Sequence, residues 1–202
     1  MYLTWLGLNS FKIQTSDCTL FTDPYGIVSG LKFPRSQADV VTVSQPENPL
    51  ANNLDGVSGT PYRIVSPGEY EVKKIFIRGI ADAGVTLFYF EVENVSIAHI
   101  AALKHPLTSE QLETFEDVDV LLVPAGNPKA VEVDQAVKLI SQIEPRLVVP
   151  MFYKIPGLKS PAEPLQPFLK AMGGQTPESL PKLKLIKRDL PQSETKVVVL
   201  TP

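Results

Sequence analysis

Short runs of apolar and polar residues in alternation fill the first half of the chain. Residues 2–6, 11–14, 19–22, 40–43, 62–65, 75–78, 87–91 and 96–99 are rich in β-branched and aromatic side chains, the types that suit a pleated, half-buried surface. Turn residues separate them: Asn9-Ser10, Asp23-Pro24, Pro67-Gly68 and Glu93-Asn94 supply the backbone geometries that reverse a chain. The pattern predicts a succession of short strands.

The second half changes period. Thr108 followed by Gln111 is a capping-box signal that opens a helix through about residue 115. An apolar strand over 118–123 follows, then a helix over 132–143 with Ala136, Leu139, Ile140 and Ile143 on one face. A strand over 147–150, a proline-rich loop, a helix over 164–172 and closing strands over 183–187 and 196–200 complete the reading. Gly173-Gly174 reads as a helix C-terminal cap. Strands first, then strands alternating with helices, imply two sheets with helices packed outside them. The expected fold is a four-layer αββα sandwich with two mixed sheets, although one mixed sheet with helices on a single face would give the same string.

Composition narrows the picture. A chain of 202 residues with 44% hydrophobic content fits a single domain over 1–202, and its 19 prolines are dispersed as loop punctuation. A formal charge of -3 gives no electrostatic footprint for nucleic acid or an anionic membrane. Lys182, Lys184, Lys187 and Arg188 alternate with Leu183, Leu185 and Ile186, which predicts the solvated face of a half-buried strand in preference to a phosphate-binding patch. The lone Cys18 excludes an internal disulfide and is expected to be a buried or turn thiol. Residues 1–13 lack a basic segment followed by an apolar one, and no stretch approaches the ~20 apolar residues of a membrane span. A cytoplasmic protein is expected.

Several segments, in order, resemble the metallo-β-lactamase-fold hydrolases: Thr4-Trp5-Leu6-Gly7, Asn9-Ser10-Phe11-Lys12-Ile13, Thr22-Asp23-Pro24, Ala38-Asp39-Val40-Val41, residues 67–72, residues 118–124, and Glu144-Pro145 leading to Val149-Pro150-Met151. The similarity covers nearly the whole chain. It implies the αββα fold and, in the family, a His-x-His-x-Asp-His loop that holds zinc, whose bound water ionises near pH ~7.

At the position of that loop the chain reads Gln45-Pro46-Glu47-Asn48-Pro49-Leu50, so Gln45, Glu47, Pro49 and Leu50 stand where the resemblance implies His, His, Asp and His. The family's further histidine is absent from residues 80–84, in a segment that reads as shortened. Ala102 replaces a bridging aspartate in His99-Ile100-Ala101-Ala102, and Phe152 replaces the last ligand in Pro150-Met151-Phe152-Tyr153. The expectation is a metal-free relative with no cofactor and with its cleft collapsed or filled, Phe152 supplying apolar volume.

Asp23, Asp82 and His99 are the remaining polar candidates for that cleft. His99 reads first as a hydrogen-bonded strand-end residue and His105 as a surface one. A Ser-His-Asp set could be drawn from Ser10 or Ser44 with His99 and Asp23, though no spacing singles it out. The expected function is a non-catalytic binding or interaction module, with an unknown partner protein or a second copy of itself as candidate partners. The alternative is a hydrolase whose chemistry has moved to carboxylates such as Glu47, Asp82 and Asp23.

Overall fold

Alternation along Tyr2–Gly7 (β1) buries Leu3 and Trp5 and turns Tyr2 and Thr4 outward, the period of two that a strand with one buried face requires. In the computed structural model, which describes residues 1–174, 177 and 179–202, β1 pairs antiparallel with Ser10–Gln14 (β2), and β2 with Thr19–Thr22 (β3). Val40–Thr42 (β4) and Tyr62–Ile64 (β5) then add in parallel. The second sheet begins as an antiparallel meander of Gly68–Val72 (β6), Ile75–Asp82 (β7), Val85–Val92 (β8) and Val95–His99 (β9). It continues in parallel through Val120–Pro124 (β10) and Leu147–Met151 (β11).

Among the described residues, three α-helices, Ser109–Thr114 (α1), Val133–Ile143 (α2) and Gln166–Ala171 (α3), connect the later strands. Ser179–Leu180 (β12), Leu183–Lys184 (β13), Lys196–Val197 (β14) and Val199–Leu200 (β15) close the fold. The result is a six-stranded sheet in the order β13-β1-β2-β3-β4-β5 facing a seven-stranded sheet in the order β14-β11-β10-β9-β8-β7-β6. Both sheets are mixed, and the sandwich expected from the sequence is the observed class.

One continuous core joins Leu3, Trp5, Phe11 and Ile13 of the first sheet to Phe88, Phe90 and Ile97 of the second. Phe21 on β3, Val41 on β4 and Val43 just after it point the other way, into a second cluster with Tyr25, Phe33 and Val57. Strand alternation thus builds two cores from one sheet. Among the described residues no α-helix covers that outer face; the 3-10 turns Ile27–Ser29 and Leu54–Gly56 and their loops do so instead. The helices serve the other sheet. α2 packs against β10 and α3 through its buried stripe of Ala136, Leu139, Ile140 and Ile143.

The capping box of α1 is present: Thr108 Oγ1 accepts the Gln111 N–H at 3.2 Å, and the Gln111 side chain accepts the Thr108 N–H at 2.9 Å. Other expectations need correction. Residues 68–72 form an edge strand, not merely a turn, with Arg78 and Glu69 paired across it at 2.8 Å. The strand expected over 183–187 stops at Lys184, and Lys187–Asp189 is a 3-10 turn. Lys187 is therefore not simply a solvated strand face: its ammonium reaches the fully buried Asp119 at 2.7 Å. Asp119 also accepts from Arg146 Nε at 3.1 Å and from the Ser96 N–H at 2.9 Å, as a buried carboxylate must to offset its desolvation. The strand expected over 196–200 divides, β14 joining the seven-stranded sheet and β15 pairing with β12. No helix among the described residues is long and apolar enough to cross a membrane.

Candidate functional site

The parallel strands end at one edge of the sandwich, and their following loops meet there. Gln45 follows β4, Ala102 and Lys104 follow β9, Asn127 and Lys129 follow β10, and Phe152 follows β11. These loops enclose an open cleft of about 420 Å³, at the carboxyl ends of strands where α/β sheets characteristically receive ligands. The six positions singled out from the sequence, Gln45, Glu47, Pro49, Leu50, Ala102 and Phe152, all line it.

Asp23 sets the entry to the first loop. It is fully buried with φ at 41°, and its carboxylate accepts the Ser44 N–H and the Ser44 hydroxyl, each at 2.6 Å. Burial pushes its pKa up to about 7, against the lowering effect of the two Ser44 bonds. Beyond Ser44 the loop bonds to itself. Gln45 Oε1 accepts from Asn48 Nδ2 at 2.9 Å, and Asn48 Oδ1 accepts the Leu50 N–H at 3.0 Å. The Gln45 carbonyl accepts the Asn48 N–H at 3.0 Å. Glu47 lies exposed at the rim and Gln45 is half-buried.

The segment after Gly79 is strand almost to its end, β7 turning into β8 through Ala83 and Gly84 alone. Gln111 Nε2 donates to the Ala81 carbonyl at 3.1 Å and to Asp82 Oδ1 at 3.3 Å, fastening α1 to this hairpin. Ala102 is buried, and Ala101 before it takes φ at 37°.

Phe152 does not fill the cleft, contrary to expectation. Its backbone has φ at 49° and its side chain, 6% exposed, packs into the outer cluster with Leu8, Phe21 and Tyr25. It forms part of the wall, and the cleft stays open.

Asp23, Asp82 and His99 do not line the cleft. Asp23, just after β3, is buried with its carboxylate on Ser44, His99 is buried at the end of β9, and Asp82 is engaged with Gln111. His99 is fully buried, its Nε2 lies 2.8 Å from the Asn9 carbonyl, and Nδ1 has no hydrogen-bond partner. Burial lowers its pKa to about 4, against the raising effect of the Asn9 bond. No Ser-His-Asp relay results: the Ser44 hydroxyl bonds Asp23 and the Ser10 hydroxyl donates to the Thr22 carbonyl at 2.7 Å. His105 is exposed. Cys18 is buried, and burial first, with Asp39 second, pushes its thiol up to about 11, which makes it a poor nucleophile.

Sequence reasoning missed Lys104, Asn127 and Lys129 as lining residues. Their position in loops after parallel strands was the available signal.

The chain belongs to the β-lactamase superfamily: residues 2–152 match the model of the beta-lactamase superfamily domain. Over 99% of its length it resembles a candidate Zn-dependent hydrolase of the metallo-β-lactamase superfamily from Thermotoga maritima, at 32% identity, a TM-score of 0.84 and 98% coverage of that chain. A UPF0173 protein of Pyrococcus abyssi is 24% identical over 177 residues, 76% of this chain and 83% of that protein. A metallo hydrolase from Ignicoccus hospitalis shares the fold, with a TM-score of 0.60 and 15% identity over 92% of this chain and 99% of that one.

Such kinship implies zinc, and the cleft residues can be tested against it. A protein zinc site takes three or four nitrogen, sulfur or carboxylate ligands. Of the lining side chains only Glu47 is of that kind. Among the described residues no group of three or more His, Cys, Asp or Glu could hold a metal ion. The donor set does not fit zinc.

Proposed function

We propose that this chain is a metallo-β-lactamase-fold protein whose ancestral metal site has been lost, and that it acts through residues 1–202 as a non-catalytic binding module. The observation that carries this reading is convergence. All six replaced positions line one cleft, and none of them offers an imidazole there. Phe152, Leu50 and Ala102 cannot coordinate a cation, so a metal entering would shed water without compensation. Protein purified without added zinc should carry well under one zinc or iron per chain. Its Tm should not respond to zinc or to a chelator, because a ligand of the folded state alone raises stability by mass action. A chelator-induced fall of several degrees would overturn the reading.

A second reading is a hydrolase with metal-independent chemistry: the 32% identity to the candidate Zn-dependent hydrolase from Thermotoga maritima favours hydrolysis, and the lack of zinc donors in the cleft favours a route without metal. Glu47 is the one carboxylate in the cleft able to act as a general base. Esterase or lactonase turnover that survives a chelator and disappears in Glu47→Gln would select this reading over the first.

A further inference from the structure

The cleft's charge is inverted relative to a cation site. The loops leaving β9 and β10 are neighbours because those strands pair in parallel, with Leu122 opposite His99. The Val131 N–H donates to the Leu103 carbonyl at 2.7 Å and locks one loop to the other. Each loop delivers a lysine, Lys104 from the first and Lys129 from the second. Asn127, only 9% exposed, accepts the Lys129 N–H on Oδ1 at 3.0 Å. That bond sets the turn carrying Lys129 and leaves the Asn127 amide NH2 as a donor at the cleft wall.

Glu47, Lys104 and Lys129 are the ionisable side chains lining the cleft, and among the described residues neither lysine forms an ion pair. Two ammonium groups against one carboxylate leave a net positive charge. The same cleft has apolar walls in Leu50, Ala102 and Phe152, low-dielectric surfaces that focus a field instead of dispersing it. Hydrogen-bond donors, two unpaired cations and an apolar wall together suit a small dianion with an apolar body.

We infer that the cleft binds a phosphate monoester carrying an apolar group, its phosphoryl oxygens held by Lys104, Lys129 and Asn127 and its body against Phe152 and Leu50. This rests on the metal-free reading of the site. The lysines supply, from the protein itself, the positive charge that a metal ion would otherwise bring.

The test is calorimetric titration of the whole chain with phenyl phosphate, inorganic phosphate and benzoate, each with and without EDTA. Phenyl phosphate should bind with a Kd of roughly 1 mM or tighter. It should bind more tightly than inorganic phosphate, which lacks the apolar body, and more tightly than benzoate, which lacks the second charge. Lys104→Gln with Lys129→Gln should weaken it at least about tenfold, since each exposed cation is lost without disturbing the core. Glu47→Gln should tighten it, and added salt should weaken it. Equal affinity in the double lysine variant, or no binding of phenyl phosphate at all, would overturn the inference and leave the metal-free reading intact. Binding that EDTA abolishes would overturn both.

Discussion

The backbone N–H of Phe152 donates to the carbonyl of Leu8 at 3.0 Å, and both residues hold left-handed φ, 49° and 51°. Leu8 directly follows β1 of one sheet and Phe152 directly follows β11 of the other, so this bond stitches the two sheets at the edge where the cleft opens. Both side chains lie in the outer cluster. Phe152→Ala should cost about 3–5 kcal/mol through the cavity it leaves, whereas Phe152→Leu should cost less than about 1.5 kcal/mol. Urea denaturation of the two variants checks this, and similar midpoints for both would contradict the packing role.

Asp23 and His99 have opposed titration behaviour. Burial raises the Asp23 carboxyl from 3.8 to about 7 and lowers the His99 imidazole from 6.5 to about 4. From about pH 4 to 6.5 the folded chain keeps a proton on Asp23 and none on His99, while the unfolded chain does the reverse. Proton counts match, so the two contributions to the pH dependence cancel. Removing either partner should uncover the other. In Asp23→Asn, the stability tied to neutral His99 is present above pH 6.5 and lost as pH falls toward 4. In His99→Gln, the stability tied to protonated Asp23 is present below pH 3.8 and lost as pH rises through 7. Denaturation midpoints across that range, compared with those of the unaltered chain, should slope in opposite directions in the two variants; parallel curves would refute the pairing.

The Asp119 carboxylate gathers Ser96 from β9, Arg146 from the turn before β11 and Lys187 from the 3-10 turn after β13. Asp119→Ala strands Ser96 donors and two cations and should cost about 3–5 kcal/mol. Lys187→Met should cost less, because Arg146 remains and the Lys187 side chain is 47% exposed. Equal losses in the two variants would show that the carboxylate is not the hub.

Putting ligands back should not rebuild a zinc site. Gln45→His, Glu47→His, Pro49→Asp, Leu50→His, Ala102→Asp and Phe152→His together would place donors on a loop whose path is fixed by Asn48 bonds and by Pro46. The Ala83-Gly84 turn is too tight to carry a further histidine loop. Zinc ligation tolerates about ±0.2 Å in ligand distance, so zinc titration should find no sub-micromolar site and the variant should be less stable. Tight binding with an intact fold would show that only side chains were lost.

How much of this was legible follows from what each signal depends on. The strands and α2 were readable because burial imposes a period, and α1 because Thr108 and Gln111 are adjacent on the capped turn. Residues 68–72 were not: an edge strand with exposed Glu69 and Glu71 lacks the apolar run that marks a buried one. The end of the strand at Lys184 depends on Lys187 reaching Asp119 from 68 residues away, which no local pattern encodes. Motif order located the cleft positions. The direction of Phe152 was hidden, since it follows from a left-handed backbone that Phe rarely adopts. Lys104 and Lys129 could be placed in loops after strands, but that they meet depends on the pairing of β9 with β10, which no local pattern gives.

The pairing of β1 with β13 also orders events in time. Leu3 sits opposite Leu183, and the Leu185 N–H donates to the Met1 carbonyl at 3.0 Å. β1 therefore waits for a strand about 180 residues further along the chain before its second edge is satisfied. Until then β1 offers open hydrogen-bonding groups to any neighbour, the condition under which nascent chains stick to one another. So long a loop closure also slows folding. Chains cut after residue 181 should form the β2-β3 side of the sheet yet aggregate through β1, so this protein's yield in a cell depends on how fast its closing segment is delivered.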